Sequence, residues 1–156
     1  MEHVGNIRMV SPEFTWQDSA GLTTLELSKM VGSQAIYVNL DTVPKGAYST
    51  KYHSHSTQEE FFYVLAGSGI LLLNGEESIV SQGDFLGKPA GQGIAHTFFN
   101  PNEEPLLILD CGNAVTEDTC YYPNEDVYLN KSNGKAHAYR IDGTLPNWDS
   151  NPNQKG

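Results

Sequence analysis

Short apolar runs alternate with polar breaks along most of the chain, and the 3.6-residue spacing of an amphipathic helix is scarce. The runs recur at roughly ten-residue intervals and are bounded by Gly, Pro and Asn, a spacing typical of a β-sandwich or barrel. We therefore predict an all-β fold. The predicted strands cover residues 34–40, 47–55, 60–66, 69–73, 77–81, 84–87, 95–99 and 106–110.

Turn signals and the two flanks suggest how the chain is organised. Asn74-Gly75 lies between two predicted strands and is typical of a type I′ hairpin turn, whose two central residues need a positive φ. The N-terminal flank has apolar runs at 14–16 and 22–27 that favour one or two extra strands, or a short helix near 25–31. The expected organisation is an N-terminal extension packing on the barrel (1–33), the barrel itself (34–142) and an irregular, Pro/Asn-rich surface tail (143–156).

Length and charge narrow the class of protein. A chain of 156 residues with 38% hydrophobic residues is long enough to bury a core as one domain. No apolar run approaches the length of a membrane span, and the N-terminus lacks the features of a signal peptide, so a cytoplasmic location is expected. The net charge of −10 repels phosphate backbones and anionic lipid, which argues against nucleic acid or membrane as a partner.

Four residues carry the candidate chemistry of the chain. His53 and His55 are two positions apart on a predicted strand, so their side chains project on the same side. A polar turn follows, and a hairpin there would bring Glu60 back beside both histidines. His96 opens a further strand. Three imidazoles and one carboxylate form a ligand set for one divalent transition metal per chain, Fe, Mn, Ni, Cu or Zn.

These residues lie within two motifs that resemble the signatures of the cupin superfamily. The stretch Gly46…His53-Ser54-His55…Glu60…Gly67 is similar to the first motif, and Gly83-Asp84…Pro89-Ala90-Gly91…His96…Asn100 to the second. The resemblance covers residues 45 to 115. It implies a double-stranded β-helix, or jelly-roll barrel, whose mouth holds a metal. By position the implied metal ligands are His53, His55, Glu60 and His96.

The chain departs from the family pattern in two places. Six residues separate Gly46 from His53, where five are usual, which indicates a β-bulge. Four residues separate Gly91 from His96, where two are usual, and the longer turn is expected to reshape the rim of the pocket. Glu59 competes with Glu60 for the carboxylate position, but the spacing to Gly67 favours Glu60.

Lys51 is a weak candidate for a catalytic or anchoring residue. If the strand alternates without a break, it faces inward with the histidines and offers a point charge to a substrate anion. An extra residue in this stretch would turn it to solvent instead.

Several functions are compatible with such a site. The first is a metal-dependent isomerase, epimerase or lyase that moves a proton on a small polar metabolite, sugar-like or sugar-phosphate-like. The alternatives are an Fe(II)-dependent dioxygenase and a non-catalytic ligand-binding or sensing module. A small molecule is the expected ligand in each case. We also expect a homodimer, because jelly-roll barrels leave sheet edges that a second copy can cover.

Overall fold

The computed structural model describes residues 4–14 and 22–153, and nearly all regular structure in them is β. The helical segments are a 3-10 turn, Ile7–Met9, and α1, Leu27–Met30. The strands are β1 Glu13–Phe14, β2 Thr23–Glu26, β3 Ile36–Val43, β4 Ser54–His55, β5 Glu60–Ala66, β6 Ser68–Leu73, β7 Glu76–Ser81, β8 Phe85–Lys88, β9 His96–Phe99, β10 Leu106–Asn113, β11 Glu117–Tyr122, β12 Val127–Ser132, β13 Lys135–Arg140 and β14 Gly143–Thr144.

The strands form antiparallel sheets that wrap into a jelly-roll barrel. The largest sheet has the order β1-β2-β3-β10-β5-β8, a second has the order β14-β13-β12-β11-β4, and a third the order β7-β6-β9. β10 lies between β3 and β5, so segments far apart in sequence meet at the centre of the large sheet. The all-β jelly-roll fold predicted from the sequence is confirmed.

Alternation along the strands builds the barrel core. In β5, Phe62 and Val64 are buried while Phe61 is exposed on the opposite face, as the two-residue period of a strand requires. Each buried side chain of this size stabilises the fold by about 1.5–3 kcal/mol. The core consists of Leu22, Val43, Ala47, Phe62, Val64, Leu71, Val80, Phe98, Leu106 and Ile108, and a smaller cluster lies under the second sheet at Cys120, Tyr122, Val127 and Ala138.

Most of the predicted barrel strands agree with the structure to within a few residues. The predicted strand 60–66 coincides with β5, and Asn74 and Gly75 have φ values of 49° and 84°, as a type I′ turn requires. The predicted strand 47–55 is wrong in extent. It reduces to isolated bridges at Tyr48 and His53 and to the two residues of β4.

A three-stranded meander, β11 to β13, was not predicted from the sequence. Its strands expose many polar and charged side chains, so they lack the apolar runs by which the other strands are recognised. Its second hairpin turns at Asn133-Gly134, with φ values of 48° and 74°. An Asn-Gly pair is typical of a type I′ hairpin turn, so this hairpin could have been predicted from the sequence.

The two flanks contact the barrel. β2 extends the large sheet beside β3, and α1 follows it within the predicted 25–31 region. The predicted strand 14–16 overlaps β1 at Phe14, and its other residues lie outside the described part. In the tail, the Trp148 ring lies 4.7 Å from the Tyr122 ring. No helix in the described ranges is long and apolar enough to cross a membrane.

Candidate metal centre

The four histidine and glutamate candidates converge from separate strands. His55 lies on β4, Glu60 opens β5 and His96 opens β9. His53 forms a bridge with His96 through two backbone hydrogen bonds of 3.3 and 3.0 Å. None of the four is more than 7% exposed, so the fold removes all of these polar groups from bulk water together.

Three of the four candidates form a close cluster. Donor atoms of His53, His55 and Glu60 all lie within 4.8 Å of one another. The two histidine Nε2 atoms are 2.8 Å apart, and Glu60 Oε1 is 3.3 Å from His55 Nε2. His96 lies beside this cluster, outside the 4.8 Å group, with its Nδ1 3.8 Å from Glu60 Oε2 and its ring centroid 5.3 Å from that of His53.

Hydrogen bonds at the outer nitrogens orient the two close imidazoles. His53 Nδ1 lies 2.7 Å from the carbonyl oxygen of Lys51, which can only accept, so Nδ1 carries the hydrogen. His55 Nδ1 donates to Asp118 Oδ2 at 2.5 Å. In their neutral forms both rings therefore direct an Nε2 lone pair toward the other. Two lone pairs at this separation repel unless a positive charge lies between them.

In the metal-free protein that positive charge is a proton on His55. Burial lowers the pKa of His55, but its hydrogen bonds to Asp118, Cys120 and Glu60 outweigh burial and raise the pKa to about 10. Burial, with the charges of neighbouring groups, holds the pKa of His53 well below its ordinary value. The Nε2–H of His55 therefore points at His53 Nε2 with Glu60 Oε1 close by.

This arrangement fits a divalent transition metal. Neutral imidazole nitrogens and a carboxylate are ligands that such metals accept. Glu60 Oε2 is buried and accepts no hydrogen bond of good geometry from the described residues, although the Lys88 ammonium lies 2.5 Å away. A cation that replaces the His55 proton would meet two imidazole lone pairs and an under-coordinated carboxylate. His53, His55, Glu60 and His96 are the residues that would hold it.

Asp118 supports the site from β11, and the sequence reading did not identify it. Its Oδ2 accepts from His55, while Oδ1 accepts from the backbone and hydroxyl groups of Ser56 and Thr57 at 2.9–3.1 Å. These bonds outweigh burial and hold the pKa of Asp118 well below its ordinary value. A carboxylate behind a histidine ligand fixes the tautomer and orientation of that ring.

Lys88 is the lysine that reaches the candidate site. It pairs across the ladder with Glu60 and is 1% exposed. Its Nζ lies 2.5 Å from Glu60 Oε2 and 2.8 Å from His96 Nδ1, and burial lowers its pKa. Lys88 directly follows the predicted strand 84–87, and nothing in the local sequence indicates that this lysine points inward.

Lys51 does not line the cavity at the candidate site. Its Nζ pairs with Glu125 at 2.8 Å and lies 4.7 Å from the centroid of the Trp148 ring. The reason is that residues 49–52 form bends instead of a continuous strand, which breaks the alternation on which its inward orientation depended.

A cavity of about 290 Å³ opens from the four candidate ligands. All four line it, together with Asp41 and Asp110 from the neighbouring strands β3 and β10. Tyr37 donates to Asp110 Oδ1 at 2.9 Å and lies 3.4 Å from Glu60 Oε1. Burial raises the pKa of Tyr37, so its hydroxyl remains protonated. The site is therefore a pocket that a small molecule can enter.

Comparisons with known proteins agree with the fold. Residues 39–112 match the Cupin domain family. A structure of a candidate sugar phosphate isomerase from Acidithiobacillus ferrooxidans is 31% identical, with 79% of this chain and 78% of that chain covered and a TM-score of 0.75. A sugar phosphate isomerase of the cupin superfamily from Silicibacter pomeroyi is 24% identical, with 94% and 98% covered and a TM-score of 0.83; it shows the fold alone.

One curated relative matches part of the chain. An uncharacterized protein of Methanocaldococcus jannaschii is 38% identical over 69 residues, which are 44% of this chain and 53% of that protein. The chain thus spans about half the length of this relative. The family match, the jelly-roll topology and the 31% identical structure together show that this chain belongs to the cupin superfamily.

Proposed function

We propose that the protein is a metal-dependent enzyme that transfers a proton on a small, sugar-like metabolite, as an isomerase, epimerase or lyase does. One observation carries this proposal. The buried cluster of His53, His55 and Glu60, with His96 beside it, opens into a cavity of about 290 Å³. A purely structural metal site is closed by protein ligands, whereas a site on an open pocket leaves room for substrate.

The residues of the pocket can perform the steps that such a reaction needs. A bound divalent metal would supply a Lewis acid that polarises a substrate oxygen. Burial raises the pKa of Asp41 to about 6, and burial, together with the charge of Asp41, raises the pKa of Asp110. Because its pKa lies near the working pH, the Asp41 carboxyl can both take up and return a proton. Tyr37 holds Asp110 in place through its hydroxyl hydrogen bond.

Names of similar structures support the isomerase class over the alternatives. The 31% identical structure is a candidate sugar phosphate isomerase. The pocket residues are also compatible with dioxygen chemistry at iron and with ligand sensing, so the experiment must separate these three functions.

The test combines metal analysis with two turnover assays. We expect about one transition metal per chain by mass spectrometry of the purified protein. The metal-loaded protein should exchange carbon-bound hydrogen of an aldose or ketose for solvent deuterium, observed by NMR, and chelation should abolish the exchange. His55→Ala should lose the metal and the exchange, whereas His137→Ala, an exposed histidine on β13, should keep both.

Other outcomes would contradict the proposal. Absence of metal after reconstitution with each candidate ion would remove its basis. Oxygen consumption by the iron form without deuterium exchange would indicate a dioxygenase. Sugar binding with neither reaction would indicate a sensing module.

We also propose a cytoplasmic location for this protein. Cys111 and Cys120 are free cysteines, which is compatible with a reducing compartment.

A further inference from the structure

The charge of the cavity wall suggests which sugar-like molecules fit. Four carboxyl groups line the cavity: Glu26, Asp41, Glu60 and Asp110. Two of them have a cation partner, because Glu26 pairs with Lys29 at 2.6 Å and Glu60 with Lys88 at 2.5 Å. Asp41 and Asp110 have no ion-pair partner among the described residues.

The two unpaired carboxyls face the cavity from one surface of the large sheet. Thr24 donates to Asp41 Oδ1 at 2.6 Å, and Tyr37 donates to Asp110 Oδ1 at 2.9 Å. In both cases Oδ2 accepts no hydrogen bond within the described ranges. Each side chain is half-buried, and the surface it retains lies on the cavity wall. These oxygens are free to accept from a ligand.

Cations are scarce around these carboxyls. Lys131 is the one lysine or arginine among the described lining residues, and it is exposed at the rim, where solvent screens its charge. The segment 15–21, which precedes the lining residue Leu22, contains no lysine or arginine in its sequence. The pKa of Asp41 is raised only to about 6, so at pH 8 this carboxyl is ionised. A phosphate group placed against Asp41 would then meet a carboxylate that has no ion-pair partner among the described residues.

The rest of the lining suits a polar, uncharged molecule. The side-chain amide of Asn39 faces the same cavity and has no hydrogen-bond partner in the described part of the chain. Hydroxyl groups are donors, and unpaired carboxylate oxygens are their natural acceptors.

We propose that the cavity selects an unphosphorylated, hydroxyl-rich ligand, whose hydroxyls donate to Asp41 and Asp110 while its other end faces His53, His55 and Glu60. This inference rests on the proposed function and narrows its substrate class. It separates this pocket from one built for sugar phosphates, since the ionised carboxylate of Asp41 repels a phosphate group.

The test compares matched pairs of probes on the metal-loaded protein. D-ribose and ribose 5-phosphate, and D-glucose and glucose 6-phosphate, are titrated by ligand-observed NMR after the metal content of the same sample has been measured. In whichever pair binds, the unphosphorylated sugar should bind at least about tenfold more tightly than the corresponding sugar phosphate. The reason is that the phosphate group and a partly buried carboxylate repel each other. Competition with inorganic phosphate reports any binding of the phosphate group itself.

Variants at Asp41 and Asp110 provide the most direct test of this inference. Asp41→Asn with Asp110→Asn keeps the side-chain volumes but replaces both carboxyl groups by neutral amides, which removes the negative charge of this wall at pH 8. This double variant should weaken the neutral sugar several-fold and strengthen the phosphorylated one, a reversal that mere loosening of the fold would not produce. Glu77→Gln, an exposed carboxyl on β7, should change neither affinity.

The failures of the two proposals are distinguishable. A sample without metal contradicts the proposed function. A metal-loaded sample that prefers the phosphorylated probe, or that binds neither member of any pair at millimolar concentration, contradicts the substrate class alone. An equal loss of both affinities in the double variant would also contradict it, since the carboxyls would then act only on folding.

Discussion

At His55, one proton occupies the point where two imidazoles and a carboxylate meet. The pKa of this residue in the metal-free protein is raised to about 10, because its hydrogen bonds to Asp118, Cys120 and Glu60 outweigh burial. The charged form therefore stabilises the metal-free fold fully below the ordinary pKa of 6.5, and this stability is lost as the pH rises toward 10. Metal binding must displace this proton throughout the neutral range.

We therefore expect metal affinity to rise about tenfold per pH unit between pH 7 and 9. Calorimetry of zinc binding at pH 8, in two buffers with different ionisation enthalpies, should give about one proton released per metal. In Asp118→Asn the release should fall well below one, because the pKa of His55 returns toward its ordinary value. The amide also presents an N–H to the ring and favours the wrong tautomer, so affinity should drop about tenfold or more.

A matched control keeps this prediction specific. Asp126→Asn alters a carboxyl that accepts from Tyr121 on the surface and should release the same one proton as the unmodified protein. Equal proton release by the protein with and without Asp118 would contradict the role assigned to this carboxylate. Zero release in the unmodified protein would contradict the charged state of His55.

The bounds and the buried face of strand β5 could both be predicted from its own residues. Its apolar run predicts its bounds, and its two-residue period correctly assigns Phe62 to the core and Phe61 to the outer face. The segment 47–55 follows no such rule. Its chain bends between Ser49 and Tyr52, so alternation does not hold there. Lys51 lies away from the cavity and pairs with Glu125, which agrees with the alternative that an extra residue in this stretch turns it outward.

Two turn glycines allow the energetic cost of a close tertiary contact to be measured separately from the cost of backbone conformation. Gly67 and Gly75 both have positive φ values, 78° and 84°. A Cβ at Gly67 would lie 2.4 Å from the Pro105 carbonyl oxygen, whereas a Cβ at Gly75 meets nothing within 4 Å. Gly75→Ala should cost about 1–2 kcal/mol from backbone conformation alone, and Gly67→Ala should cost about 2 kcal/mol more.

Urea unfolding of the metal-free protein is the measurement, with the midpoint compared at an unchanged slope. The glycine at 75 serves as the internal reference because it shares the backbone conformation but not the close approach. Equal destabilisation by the two substitutions would show that the contact with Pro105 can relax without cost.

Across the whole molecule, the outer face of the large sheet carries an exposed apolar surface. Ile36 is 53% exposed, Phe61 41% and Phe85 68%, and the two phenylalanine rings stack at 6.0 Å. These residues lie on β3, β5 and β8 of one sheet. Contiguous apolar surface of this kind marks an interaction site, and a second copy of the chain is the partner that the sequence reading predicted.

Light scattering at tens of micromolar protein should therefore give twice the chain mass of 17.1 kDa. Phe61→Ser combined with Phe85→Ser should weaken the dimer at least about tenfold, since central aromatic residues dominate such interfaces. Ile79→Ser removes a more exposed apolar side chain from β7 of another sheet and should leave the mass unchanged. A monomer before any substitution would contradict the dimer and this choice of face.

Local spacing was sufficient to predict a β-sandwich or barrel and most barrel strands, and to nominate four candidate ligands, because alternation and ligand spacing are properties of neighbouring residues. The jelly-roll class followed from the resemblance of two motifs to the cupin superfamily. The inward position of Lys88, the support of His55 by Asp118 and the unpaired state of Asp41 and Asp110 could not be predicted in this way. Each depends on strands distant in sequence that the sheets bring together: β8 beside β5, β11 beside β4, and β10 beside β3. The net charge of a pocket depends on all the side chains that the fold brings to its wall. It is therefore defined only in the folded chain.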